Sequence, residues 1–204
     1  MKVIKITQEG DEWKDYRLGK ITGTKLKGII VKRGTKKKIG FYQLMADRIA
    51  VDDGYDSPME RGNALEPEAI ERFEQETGRK VETDLFCVSD KNPNIALSPD
   101  GLINLKGKYS EAVEVKCLSS ANHLQAYFNK EIPSEYIEQV IQYFIVNEDL
   151  ELLHFVMYDP RISALPYFEI PILREDLEDK IEEYYEYQVK TLNEIDELLL
   201  DLTF

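Results

Sequence analysis

Two carboxylates and one ammonium stand at a spacing that suits hydrolysis of a phosphodiester: Asp100 in Pro99-Asp100-Gly101, and the pair in Glu114-Val115-Lys116. Between them, 101–105 and 112–115 carry short strand patterns, and Lys106-Gly107-Lys108 is the turn signal that folds them into a hairpin. Folding back there sets Asp100 opposite Glu114 or Val115. Side chains alternate along a strand, so Glu114 and Lys116 share one face, and Val113, Val115 and Cys117 form the other, apolar one. Two carboxylates this close repel, and one takes up a proton unless a cation lies between them. Magnesium suits such a pair, because it is held through one or two carboxylates plus substrate phosphate and keeps several waters. Lys116 would then orient or deprotonate the attacking water, or neutralise charge growing on the phosphate. Each piece alone is ordinary: a surface Glu-x-Lys, or an Asp capping a turn, needs no chemistry. The signal is their coincidence on one hairpin.

The elements that must hold this hairpin are marked by caps and periodicity. Ser57-Pro58 opens a helix that runs to Gly78, with a cap and first-turn proline at one end and glycine at the other. Its stripe of Ala69, Ile70 and Phe73 turns toward a sheet, and Glu66 at the stripe's edge is either a third carboxylate for the same cleft or a solvated helix residue. After Pro133 an amphipathic helix runs to about Asn147, with Ile137, Val140, Ile141 and Phe144 at helical spacing. Gln139 lies beside that buried face, placed to orient Lys116 or substrate, or to bond backbone at the core's edge. Shorter helices are expected over 11–19, 22–30, 41–51 and 119–129, and strands over about 80–89, 101–106, 110–117, 152–158 and 167–172. A C-terminal helix over about 174–202 closes the chain, its Leu177, Ile181, Leu192, Ile195 and Leu199 packing on the core or on a neighbouring subunit. The class is α+β, a central mixed β-sheet flanked by helices, and residues 1–204 read as one domain.

Composition removes several function classes. With 43% apolar residues the chain buries a sizeable core, and it has no run approaching the ~20 residues of a membrane span. The N-terminus lacks the apolar stretch of a signal peptide, so the expected address is cytoplasmic. Cys87 and Cys117 are far apart and read as free buried thiols, and His123 and His154 are isolated, which leaves no zinc site or histidine triad. The net charge of −13 is unevenly spread: residues 1–50 hold thirteen Lys and Arg against five acids, a balance of +8, and the remainder carries −21. The densest basic run, Lys32, Arg33, Lys36, Lys37 and Lys38, is broken by Gly34 and reads as a loop able to track a phosphate backbone, or as a solvated surface loop. An acidic body with one basic arm suits an enzyme that holds DNA in one place.

Together, Arg61-Gly62 with Glu66-Pro67-Glu68-Ala69, Ser98-Pro99-Asp100-Gly101-Leu102, Glu114-Val115-Lys116-Cys117, Gln139-Val140-Ile141-Gln142-Tyr143 and Tyr158-Asp159-Pro160-Arg161 resemble the lambda exonuclease (YqaJ-type) family of phage recombination nucleases. The likeness runs from about Trp13 to the chain's end. It implies a restriction-endonuclease-like fold and 5′-to-3′ digestion of linear duplex DNA from its ends. It also implies a toroidal homotrimer and a single-strand annealing protein as partner. By matched position it gives Asp100 and Glu114, with the carbonyl of Val115, as magnesium ligands, Glu66 as helper to a second ion, Lys116 as the group serving the water, and Gln139 as its support. Manganese would substitute. Arg17 matches the arginine that binds the 5′-phosphate, and Thr24 stands where the family has a phosphate-binding serine. Asn122, with His123 beside it, occupies the place of a family arginine.

The residues leave three functional readings open. One is an exonuclease acting from duplex ends. The second is an endonuclease or other end-processing enzyme on the same fold. A third is a silent binding module that docks partners through its acidic C-terminal helix.

Overall fold

Turn chemistry sets the hairpin that carries the predicted site. The structure, a computed structural model, describes residues 11–18, 20–22, 25, 28–54 and 57–202. Strands β3 (Gly101–Leu105) and β4 (Lys108–Lys116) pair antiparallel with Gly101 opposite Val113. Lys106 (φ 56°) and Gly107 (φ 90°) make the two-residue turn in the left-handed conformations that match strand twist, and the Gly107 N–H donates to Asn104 Oδ1 at 2.8 Å. Gly101 allows a close approach: a Cβ there would lie 2.2 Å from Val81 Cγ1. β4 also pairs, in parallel, with β5 (Leu152–Tyr158), and β6 (Tyr167–Leu173) completes the order β3-β4-β5-β6. β5 is apolar and buried almost throughout, as an interior strand with a parallel neighbour requires. The expected strand over 80–89 is cut short, because Asp84 turns the chain at φ 59°. Only β1 (Cys87–Val88) remains, paired with β2 (Ala96–Leu97), while Glu82 bridges Leu102.

The helices follow their caps. α1 spans Asp11–Arg17, α2 Ile39–Ile49 and α3 Pro58–Thr77. On α3, Ser57 Oγ accepts the Glu60 N–H and Gly78 takes φ 71° just past the end. α4 (Ser120–Asn129) is capped by Ser119, and α5 (Ile137–Val146) follows a single 3-10 turn over Ser134–Tyr136. α6 spans Glu178–Leu202 after another such turn. The expected helix over 22–30 lies partly outside the described residues. No helix among the described residues is long and apolar enough to cross a membrane.

The chain divides into two compact units, one drawn from 1–65, 117–131 and 158–168, the other from 66–116, 132–157 and 169–204. In the first, Tyr42, Ala46, Ala121, Leu124 and Ile162 form the core. The Arg61 guanidinium is buried there, donating to Asp53 (2.5 Å), Asp159 (2.8 Å) and the carbonyls of Cys117 (2.7 Å) and Leu118 (3.0 Å). Arg161 donates to the same Asp159 and Leu118 groups, so two arginines hold the residues that directly follow Lys116 in the chain.

In the second unit, Ile95, Ile141, Ile145 and Val146 form a core covered by Leu177, Ile181, Tyr184, Tyr185, Val189 and Leu192. Ile195 and Leu199 continue the expected stripe but are exposed. His154 is not isolated: its Nδ1 lies 3.1 Å from Glu169 and its Nε2 3.0 Å from Glu111, which Arg79 also holds. Two carboxylates facing two ring nitrogens require the imidazolium. Burial pulls the pKa of His154 down, but the hydrogen bonds to Glu169 and Glu111 outweigh it and raise the net value. Stability from this group is therefore complete below its unfolded pKa and is lost as pH rises through the raised folded value. Urea denaturation of wild type and His154→Gln at acidic and alkaline pH should show the larger gap at acidic pH. Cys87 and Cys117 form no disulfide and are half-buried rather than buried.

Candidate active site

The hairpin and α5 supply one continuous polar chain. The Val115 N–H donates to Asp100 Oδ2 at 2.7 Å, and the Asp100 N–H donates to the Tyr143 hydroxyl at 3.1 Å. That hydroxyl donates its single hydrogen to Glu114 Oε2 at 2.5 Å, and Lys116 Nζ donates to Glu114 Oε1. Lys116 also lies over the Tyr136 ring, 5.0 Å from its centroid. As the alternation predicts, Glu114 and Lys116 share a face. Glu114 is 0% exposed, deeper than a cleft-lining residue, while the Lys116 side chain keeps 16%.

The electrostatics show which acids share the site. Burial first, and then the Asp100 charge, push the Glu114 carboxyl up to about 7, against the pull of Lys116 and the hydrogen bond from Tyr143. Burial also raises Asp100, with the Val115 N–H and Lys116 opposing. Glu66 on α3 is raised by burial and then by Asp100, and lowered by Lys116, so it lies in the same field. Asp100, Glu114 and Lys116 are thus linked by hydrogen bonds, and Glu66 feels the charges of Asp100 and Lys116. The side chain of Gln139, half-buried on α5, makes no hydrogen bond to Lys116 or to any other group among the described residues.

Among the described residues no three His, Cys, Asp or Glu side chains converge tightly enough to hold an ion by themselves. The donors are all oxygen, and their mutual repulsion, which adds to burial in lifting Glu114 toward neutrality, is what a divalent cation relieves. That fits magnesium, which takes few carboxylates and completes its shell with water and phosphate.

Sequence reasoning missed the parts that Tyr143 and Tyr136 play. The available signal was a tyrosine four residues after Gln139 on an otherwise apolar helix face, since a buried phenol needs a partner for its hydroxyl. Tyr143→Phe should cut the single-turnover rate by about ten- to a hundred-fold while leaving DNA affinity nearly unchanged, as expected when a positioning hydrogen bond is lost near the reacting groups. Urea unfolding of the same variant should show a loss of roughly 1–2 kcal/mol.

The remaining candidates belong to the first unit. Arg17 on α1 donates to Thr22 Oγ1 at 3.3 Å, and Thr24 lies outside the described residues. Lys32, Arg33, Lys36, Lys37 and Lys38 form an exposed loop ahead of α2, where Gly34 takes φ 76° and Lys36 pairs with Glu131 at 2.7 Å. Asn122 is tied into the α4 cap through its N–H to Ser119 Oγ, and the buried His123 is held below the usual histidine range by desolvation. Neither therefore replaces an arginine's charge. A cavity of about 260 Å3 is lined by Leu18, Asp47, Ser119, Ser120, Ala121 and Arg161, among others.

A family model described as YqaJ-like viral recombinase domain matches residues 12–149. The crystal structure of the alkaline exonuclease LHK-Exo from Laribacter hongkongensis superposes with a TM-score of 0.61 at 26% identity, over 94% of this chain and 97% of that one. The same enzyme in complex with dAMP gives 0.61 and 26%, over 95% and 98%. No curated protein matches. The mixed sheet flanked by helices is the restriction-endonuclease-like fold.

Proposed function

This chain belongs to the YqaJ-like viral recombinase domain family, of lambda-exonuclease type, and we propose that it is a magnesium-dependent exonuclease that digests linear duplex DNA 5′ to 3′, leaving 3′ single-stranded overhangs for recombination by strand annealing. The observation that carries this is the linked set of Asp100, Glu114 and Lys116 on one hairpin, with a fully buried Glu114 carboxyl that burial, and then the Asp100 charge, raise to about 7. Folding alone gains nothing from such an arrangement.

Asp100 and Glu114, with the Val115 carbonyl, would hold one magnesium ion, and Glu66 would help with a second; manganese would substitute. Such ions supply Lewis-acid stabilisation of charge developing on the phosphoryl oxygens and make water a better nucleophile. The chain's own residues do the rest. Lys116 Nζ carries a hydrogen-bonding positive charge to the scissile phosphate or orients the attacking water. Tyr143 fixes the Asp100 backbone and the Glu114 carboxylate in mutual register. Gln139, with its amide uncommitted, supports Lys116 or the water. The reaction is in-line displacement that leaves a 5′-phosphate on the shortened strand. The dAMP held by the related enzyme is the kind of unit such digestion releases. A toroidal homotrimer and a single-strand annealing protein complete the proposal.

The terminal phosphate would bind in the first unit, where Arg17 lies next to Leu18 and the cavity takes Arg161 and the first turn of α4 into its lining. Arg17→Ala should slow digestion of 5′-phosphorylated ends several-fold more than of 5′-hydroxyl ends, measured as initial rates; equal slowing removes Arg17 from that role.

The deciding experiment is magnesium-dependent digestion of a linear duplex with a 5′-phosphate and a fluorophore at the opposite 3′ end, beside its closed circular counterpart. Progressive loss of the phosphorylated strand with the circle intact is the expected result. Cleavage of the circle would establish an endonuclease, and cleavage of neither a binding module.

A further inference from the structure

We propose that Phe41, Tyr127 and Phe128, with Lys37 and Lys130, form a stacking surface for single-stranded DNA, whose phosphates are held by the basic loop over 32–38. Phe128 is 55% exposed and Phe41 37%, a large outlay of aromatic surface that the core does not use. The rings are nevertheless fixed from beneath. Buried Tyr42 stacks under Phe128 (6.2 Å, 25°) and meets Phe41 edge-on (5.4 Å, 89°), while its hydroxyl is anchored on Asn129 Oδ1 at 3.1 Å. Tyr127 meets Phe128 edge-on at 5.3 Å and is braced by Phe168, also at 5.3 Å.

Cations already occupy the ring surroundings. Lys37 Nζ lies 5.5 Å from the Phe41 centroid and Lys130 Nζ 4.7 Å from that of Tyr127. Five Lys and Arg residues fall within 32–38, where Lys36 pairs with Glu131. A protein partner would use the apolar rings but has no need of so many cations; a polyanion needs both. Duplex bases are stacked on one another, whereas unpaired bases offer free faces to flat side chains, so the combination selects a single strand. The proposal rests on the nuclease reading only in taking DNA as the strand: digesting one strand leaves the other unpaired.

The test is fluorescence anisotropy of labelled oligothymidylate and of a blunt duplex with the full chain in EDTA, where nothing is cut. Phe128→Ala should weaken oligothymidylate binding about ten-fold and duplex binding less than two-fold, the loss typical of one stacked base. Phe128→Tyr should restore it. Phe128→Leu, apolar but not flat, should not. Wild type that fails to bind oligothymidylate, a Leu variant that binds as well as wild type, or equal losses on both probes would overturn the proposal. The two readings fail separately. No digestion by wild type, with Phe128-dependent affinity intact, removes the nuclease and keeps this surface. Digestion with unchanged Phe128→Ala affinity does the reverse.

Discussion

Lys116→Ala is expected to lower hydrolysis of linear duplex DNA by about 10³-fold or more under single-turnover conditions, while DNA affinity in EDTA stays within about two-fold. The ammonium is set between the Glu114 carboxylate and the Tyr136 ring, so its place is fixed before substrate arrives. Fixed charge aimed at a transition state costs no reorganisation when the reaction occurs, which is why losing it falls on the rate rather than on binding. Lys116→Arg should not rescue: a planar fork cannot occupy the point-charge position between ring and carboxylate. The Ala variant should still fold, because Glu114, already raised to about 7, relieves the lost pairing by keeping its proton. A Lys116→Ala protein with more than a tenth of wild-type activity would show that another group serves the reaction.

The sequence made the hairpin readable because its determinants are local. Gly107 fixes the turn and alternation fixes which side chains share a face, but the irregularity between Ile103 and Leu105 that shifts the register by one residue, and so sets Gly101 opposite Val113, follows from neither. Glu66 could be offered as a third acid because the apolar stripe of α3 orients the helix, and it feels the Asp100 charge. What escaped were contacts between elements distant in sequence. The Tyr143 hydroxyl meets groups 43 and 29 residues away, and nothing near Tyr143 in the chain announces either partner. Arg61 and Asp159, 98 residues apart, were both visible as parts of short motifs, but their burial in one network with the carbonyls of Cys117 and Leu118 is a tertiary fact. His154 read as isolated because its two glutamates arrive on neighbouring strands. The strand over 80–89 failed for the opposite reason: β propensity held on average, and one left-handed residue, Asp84, overruled it.

The strain stored in the carboxylate pair should be visible in stability. In EDTA, the raised Glu114 carboxyl binds its proton in the folded state at pH values where the unfolded chain has released it. Stability from this group is therefore complete below about pH 4.5 and is lost as pH rises through about 7. At 1.36 kcal/mol per unit the loss is roughly 3 kcal/mol by pH 8. Burial is the larger cause and the Asp100 charge the next, so Asp100→Asn should recover the smaller share, about 1 kcal/mol above pH 7 and nothing near pH 4. The Asn side chain still offers an oxygen to the Val115 N–H, which limits the structural cost. Magnesium should reverse the wild-type loss, raising the unfolding temperature more at pH 8 than at pH 5.5, because only the deprotonated pair attracts the ion. In Asp100→Asn that response should be largely gone, together with catalysis. A variant more stable than wild type without metal, and inactive with it, is the result expected if these carboxylates are held together for a cation. Equal pH profiles for the two proteins in EDTA would mean that Asp100 does not raise Glu114.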